Sequence, residues 1–277
     1  MPLKHFLLAL QFFTRIPITG RLGAWVGYSP AMLRAASVYF PVVGSVVGAF
    51  SAMVLLLALV LLPPSALGYW LAAGLATAAS VWLTGGFHED GLADTADALG
   101  GYVPREKALD IMKDSRIGSY GSLTLILVLG LKISALAALA EQAPLLAAAA
   151  LLWAHTLARV LPLLLMFSLT HVGDLGKSKS KPLADAISPL QLAAALLWPA
   201  LLAAAAFWLL PTGAWLLAAG SMLLAAWRLR AWFAQRLGGF TGDTLGCAQQ
   251  ISELLAYLAL LTWPQWQAWA LRLGANL

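Results

Sequence analysis

Two stretches of the chain, Ala35 to Phe87 and Ala186 to Trp227, contain no charged residue. At about 20 residues per crossing of a hydrocarbon layer, each holds two membrane-spanning helices. The same reading along the whole chain predicts seven spans, at about 37–62, 66–84, 119–139, 144–169, 190–210, 213–229 and 248–270. Their connections alternate in character. Short, nearly uncharged turns (Pro63-Pro64-Ser65, Glu141-Gln142-Ala143, Pro211-Thr212-Gly213) alternate with long charged segments. Ahead of the first span, Phe6, Leu7, Leu10 and Phe13 recur at helical spacing. They predict an amphipathic helix that lies at the membrane interface or packs on the bundle. Its basic start and short apolar run resemble a secretory signal, but no small-residue cleavage site follows. The expected fold is all-α and polytopic: about seven transmembrane helices plus the N-terminal amphipathic helix. We expect one helical-bundle domain over residues 1–277, with no soluble domain, linker or internal repeat.

Composition agrees. Hydrophobic residues make up 61% of the 277 and charged residues 10%, with a mean hydropathy of +0.82. A soluble domain of this length has no use for so much apolar surface. The net charge of +5 then reads as topology rather than nucleic-acid binding. Every Lys and Arg except Lys132, Arg159 and Arg272 falls in the N-terminal segment or the three long charged segments. The positive-inside rule places these on the cytoplasmic side, with the C-terminus outside. All acids except Glu141 and Glu253 share that side, so the plausible chemistry gathers on one face. The single Cys247 rules out an intramolecular disulfide and reads as packing. Gly44-x3-Gly48 permits close helix approach, and Trp residues near span ends read as interfacial anchors.

The chemistry-bearing stretch is Gly85-Gly-Phe-His-Glu-Asp-Gly-Leu-Ala-Asp-Thr-Ala-Asp97. In a helix, Asp90, Asp94 and Asp97 stand at i, i+4 and i+7 on one face, where like charges repel unless a cation sits among them. Mg²⁺ suits such carboxylates and also takes substrate phosphates. The plain alternative is an acidic helix start favoured by the helix dipole. His88 beside Asp90 invites a transition metal, but a zinc site would lack its further Cys or His ligands. Asp110 and Asp114, with Lys113 and Arg116, either complete a metal or phosphate site or form local ion pairs on a surface helix. Lys177, Lys179 and Lys181 offer a cationic patch for a polyphosphate or serve as a topology signal alone. Arg159, inside an apolar helix, demands a partner in the bundle interior, and His155 one turn earlier shares its face. Arg15 reads as an interface anchor. In Gly238-Gly-Phe-Thr-Gly-Asp-Thr-Leu-Gly246, Asp243 is a candidate metal or hydroxyl contact, although Thr241 or Asp243 would also cap the following helix. Glu253 must face inward. No Walker A lysine motif, GxSxG elbow or HExxH occurs. The pattern as a whole points to metal-assisted phosphoryl transfer on an amphiphilic substrate. A secondary transporter would instead place its charged groups near the bilayer midplane.

His88-Glu-Asp-Gly-Leu-Ala-Asp-Thr-Ala-Asp97, Asp114-Ser-Arg-Ile-Gly-Ser-Tyr-Gly121 and Gly242-Asp-Thr-Leu-Gly246 resemble the cobalamin synthase family (adenosylcobinamide-GDP ribazoletransferase). So do Gln11-Phe-Phe-Thr-Arg-Ile-Pro17 and Tyr39-Phe-Pro-Val-Val-Gly44; at Ala98 the resemblance leads one to expect glycine. The resemblance implies the last condensation of the cobalamin nucleotide loop at the bacterial inner membrane. The 3′-hydroxyl of α-ribazole, or of its 5′-phosphate, attacks adenosylcobinamide-GDP; GMP leaves, with Mg²⁺ required. Under it we assign metal binding to Glu89, Asp90, Asp94 and Asp97. Asp94, Asp97, Asp114 and Asp243 become catalytic candidates. His88, Arg116, Arg159, Lys177, Lys179 and Lys181 become substrate contacts. The bilayer is an expected partner, nucleic acid is not, and a homo-oligomer stays open. The CDP-alcohol phosphotransferases are the nearest alternative, but they expect an arginine where this chain has Ala93-Asp94-Thr95.

Overall fold

A computed structural model describes residues 2–173, 187–209 and 212–272. In chain order its helices are α1 (Pro2–Phe13), α2 (Gly20–Val26), α3 (Pro30–Ala36), α4 (Phe40–Leu61), α5 (Ala66–Thr84), α6 (Phe87–Leu99) and α7 (Arg105–Ile111). They continue as α8 (Ser119–Gln142), α9 (Pro144–Ala158), α10 (Val160–Ser168), α11 (Pro189–Leu209), α12 (Ala214–Leu237) and α13 (Gly242–Arg272). Five segments are long and apolar enough to cross a membrane: Pro30–Leu61, Ala66–Thr84, Ser119–Gln142, Pro144–Ser168 and Pro189–Leu209. The chain is an all-α membrane protein. Its lipid-facing side is explicit on α11, where Leu197, Leu201 and Trp208 are exposed, a surface that would drive aggregation in water.

The helix ends follow from local chemistry. Ser65 caps α5 by accepting the Gly68 amide hydrogen at 3.2 Å, and Pro144 opens α9 at a position where its missing N–H costs nothing. After α5, Gly85 and Gly86 both take positive φ, 74° and 73°, which ends one helix and re-aims the chain into α6. The helices expected as the sixth and seventh spans, α12 and α13, are not among the five segments long and apolar enough to cross, and two spans differ in their course. The fourth is broken at Arg159, between α9 and α10. The sixth runs on to Leu237, so Arg228, Arg230 and Arg236 lie on a helix, not in a loop.

Two apolar clusters build the core. One is rich in alanine and joins α4, α5, α8, α9, α12 and α13, with Trp153 and Tyr257 as its large members. Small residues let helices approach closely where the surrounding lipid gives no hydrophobic push. Gly44 and Gly48 serve the α4–α9 contact in this way: a β-carbon at Gly48 would stand 2.7 Å from the Leu151 carbonyl oxygen. The other cluster seats α1 through Leu8, Leu10 and Phe13 against α3, α4 and α6. Of the two placements expected for the N-terminal helix, α1 takes the packed one.

Candidate active site

α6 and α13 meet backbone to backbone. A β-carbon on Gly91 would stand 2.8 Å from the Asp243 carbonyl oxygen, and one on Gly246 would stand 3.1 Å from that of His88. Glycine at both points therefore sets the separation, and that separation brings Asp243 to the acidic face of α6. Burial raises Asp94 to about 7, helped by the negative charges of Asp243, Asp90 and Asp97. Burial likewise raises Asp243 to about 6; the charge of Asp90 adds to this, while hydrogen bonds from backbone and Thr241 oppose it. The negative charge of Asp243 favours the protonated form of Asp94. Asp243 is not needed as a cap. Thr241 and Thr244 cap α13 reciprocally, the Thr241 amide donating to Thr244 Oγ1 at 2.9 Å and the Thr244 amide to Thr241 Oγ1 at 3.3 Å.

Asp97 is engaged differently. Its two carboxylate oxygens accept the amide hydrogens of Gly118 at 2.7 Å and Gly121 at 2.8 Å. It thus caps the start of α8 from a neighbouring helix, and a β-carbon at Gly118 or Gly121 would collide with the carboxylate. The Gly-x-x-Gly spacing ahead of an apolar span, with no Ser, Thr, Asp or Asn positioned to cap it locally, was the available signal for this contact.

Glu89 turns away from its acidic neighbours. It is buried and accepts a hydrogen bond from Gln250 Nε2 at 2.8 Å, so Oε1 is engaged in the bundle interior, while Oε2 is buried without a hydrogen-bond partner. One residue of offset on a helix rotates a side chain by about 100°, enough to leave the acidic face. Gln250 Oε1 in turn accepts from Lys132 Nζ at 2.8 Å. Lys132 pairs with Glu253 at 2.7 Å, His155 Nδ1 lies 2.6 Å from the same carboxylate, and Arg159 NH1 lies 4.0 Å from it. The inward partner expected for Arg159 is therefore Glu253. The pairing of Lys132 was missed, although a lone lysine inside a span always asks for an acid.

Asp114 and Arg116 do not join the carboxylates of α6. They form an exposed ion pair with each other at 2.6 Å, and its hydrogen bonds hold Asp114 down to about 2. Of the two readings of this segment, the structure shows the local ion pair. Lys177, Lys179 and Lys181 lie outside the described residues.

A cleft opens beside the Asp243 turn, between Phe12, Phe13, Phe40 and Phe87, with His88 and Arg159 in its lining. The His88 ring stacks on Phe13, with centroids 5.9 Å apart and planes 11° from parallel. Arg159 Nε and NH2 are buried without a hydrogen-bond partner. Buried guanidinium nitrogens left open in this way are suited to an anionic group. Sequence reasoning found His88 and Arg159 but not the phenylalanine walls, which come from three separate segments.

The profile of the cobalamin-5-phosphate synthase family matches residues 5–261 of the chain. The chain belongs to that family. A Leptothrix cholodnii protein named adenosylcobinamide-GDP ribazoletransferase is 52% identical over 262 residues, covering 93% of this chain and 95% of the relative. Relatives of the same name from Polaromonas naphthalenivorans and Shewanella amazonensis are 49% and 45% identical, each over 270 residues. They cover 93% and 95% of this chain and 97% of each relative. No solved structure matches.

Metal binding is judged from the donors. Among the described residues, no three His, Cys, Asp or Glu side chains form a ready-made metal cage. Asp94 and Asp243, with Asp90 alongside, instead offer a few hard oxygens. That fits Mg²⁺, which keeps several waters and completes its shell with substrate phosphates rather than with an all-protein cage.

Proposed function

We propose that this family member transfers the phosphocobinamide group of adenosylcobinamide-GDP to the 3′-hydroxyl of α-ribazole or its 5′-phosphate. The products are adenosylcobalamin, or its 5′-phosphate, and GMP. The observation that carries this reading is the α6–α13 crossing, which sets Asp243 beside Asp94 and pushes both carboxyls toward neutrality. In the reaction the hydroxyl oxygen bonds to the cobinamide-bearing phosphorus. The bond from that phosphorus to the bridging oxygen breaks, and GMP leaves with that oxygen. The hydroxyl proton passes to a carboxylate of the Asp90, Asp94 and Asp243 group that the metal leaves free, acting as general base.

Mg²⁺, held by Asp94 and Asp243 with Asp90 beside them, would neutralise charge on the diphosphate oxygens. Arg159 presents its two open nitrogens in the cleft lining as a phosphate contact, with His88, stacked on Phe13, in the same lining. Asp97 acts as a positioning residue, fixing α6 against α8. The distribution of Lys and Arg supports a bacterial inner-membrane protein whose site faces the cytoplasm.

The test is GMP release by the purified, detergent-solubilised chain given adenosylcobinamide-GDP and α-ribazole, with and without Mg²⁺. Release that needs both the acceptor and the metal, and that falls by more than about 100-fold in Asp94→Asn, is the expected result. GMP formed without corrinoid product would make the protein a hydrolase. No release from folded protein would sink the assignment. Sidedness is read separately by placing a cysteine at Tyr102, which is 98% exposed, while Cys247 stays buried. Labelling by an impermeant maleimide in right-side-out vesicles would overturn the cytoplasmic placement.

A further inference from the structure

The surface between α5 and α8 is grooved. A cleft of about 450 Å³ runs past Gly74, Ala78 and Trp82 on α5 and past Leu129 and Ile133 on α8, and it ends at Arg15. Both walls belong to segments long and apolar enough to span a membrane, so the cleft opens toward hydrocarbon rather than water. Thr77, the hydroxyl-bearing residue of the lining, turns that group back to the Ala73 carbonyl at 2.9 Å. From Gly74 to Gly85 the wall is about 16 Å long, a large part of an acyl chain.

The polar end is built with equal economy. The Arg15 amide donates to the Leu83 carbonyl at 2.7 Å, which pins this residue to the end of α5. Its side chain then lies over Gly85, where a β-carbon would come within 3.0 Å of Nε. Arg15 is exposed, and among the described residues no carboxylate pairs with it. A guanidinium without an acid at the mouth of a bilayer-facing groove matches a phosphate in both charge and fork geometry. Basic pockets between membrane helices are known to take acidic head groups for this reason.

We propose that this groove binds one anionic phospholipid, with an acyl chain along α5 and α8 and its phosphate on the Arg15 guanidinium. A zwitterionic lipid fits less well, because its own ammonium group competes for the phosphate. None of the residues lining this groove belongs to the charge network around Glu253.

The full chain, delipidated in detergent, would be titrated with phosphatidylglycerol or phosphatidylcholine and its bound lipids counted by native mass spectrometry. One phosphatidylglycerol should be retained in preference to phosphatidylcholine by about fivefold, the effect of one well-placed cation. Arg15→Gln should abolish the preference, and Arg15→Lys should keep part of it. Ala78→Trp should expel the lipid with Arg15 intact. Equal retention of the two lipids by the wild type, or an unchanged preference in Arg15→Gln, would overturn the proposal. So would displacement of the lipid by soluble glycerol phosphate, which would mark a phosphate site without a chain groove. Thermal melts establish that each variant is folded; if Arg15→Gln is not, the lysine and tryptophan variants decide. The readout is lipid mass, so it is independent of whether the transferase reading stands.

Discussion

A carboxyl that keeps its proton to about 7, as Asp94 does, makes the folded protein bind a proton that the unfolded chain has already lost. Between about pH 4 and 7 the folded state therefore carries more protons, and stability falls as pH rises through that window. Asp243, raised to about 6, acts in the same direction. Metal-free protein should melt at lower temperature near pH 8 than near pH 5, and Asp94→Asn should flatten that slope. Added Mg²⁺ should recover the loss at pH 8. A melting profile identical in wild type and mutant would show that the two carboxyls do not interact. Asp97 behaves differently because its charge is met by two amides. Asp97→Ala should cost about 2 kcal/mol of stability by equilibrium unfolding in detergent, whereas Asp94→Ala should cost little. At this scale the sequence was informative about which acids matter and less so about their tasks. Helical spacing put Asp90, Asp94 and Asp97 on one face, but only the tertiary contact with Gly118 and Gly121 separates the cap from its neighbours. The inward contact of Glu89 was hidden for the same reason, since its partner Gln250 lies 161 positions away.

Between elements, the decisive contact is the crossing of α6 and α13. Gly91→Ala would force a methyl against the backbone of Asp243, which cannot swing aside as a side chain can. A displacement of about 1 Å between reacting groups is enough to cost on the order of 100-fold in rate. Gly91→Ala should therefore lose GMP release to that extent while the helix content by circular dichroism stays intact. Gly220→Ala, at a helical glycine with open space around it, should leave turnover unchanged. The helices themselves were legible, because charge-free runs and proline-marked turns state where a membrane helix begins and ends. The break at Arg159 and the extension of α12 were not. Hydropathy reports the solvent a residue prefers, whereas a break or an extension depends on what packs beside it.

For the molecule as a whole, the buried cluster around Glu253 joins α8 and α9 to α13 through one carboxylate, and α6 to α13 through Glu89 and Gln250. Removing it leaves Lys132 and Arg159 as uncompensated cations in an apolar bundle. Glu253→Gln should destabilise the fold by about 3–5 kcal/mol, and adding Lys132→Met should return part of that loss in denaturant unfolding. Additive losses would show that the pair is not coupled. The cap on α8 has a mechanical consequence. α8 has 24 residues and is about 36 Å long, more than the roughly 30 Å of hydrocarbon it crosses, so it must tilt to fit. Its first amides are gripped by Asp97, one helical turn from Asp94. A thinner or thicker bilayer alters the tilt and pulls on α6, the helix that carries Asp90 and Asp94. Turnover in vesicles of graded acyl-chain length should pass through a maximum that Asp97→Ala blunts, and a flat wild-type profile would dismiss the coupling. The membrane then acts on this enzyme as a gauge spring, tuning the spacing of its carboxyls from outside the site.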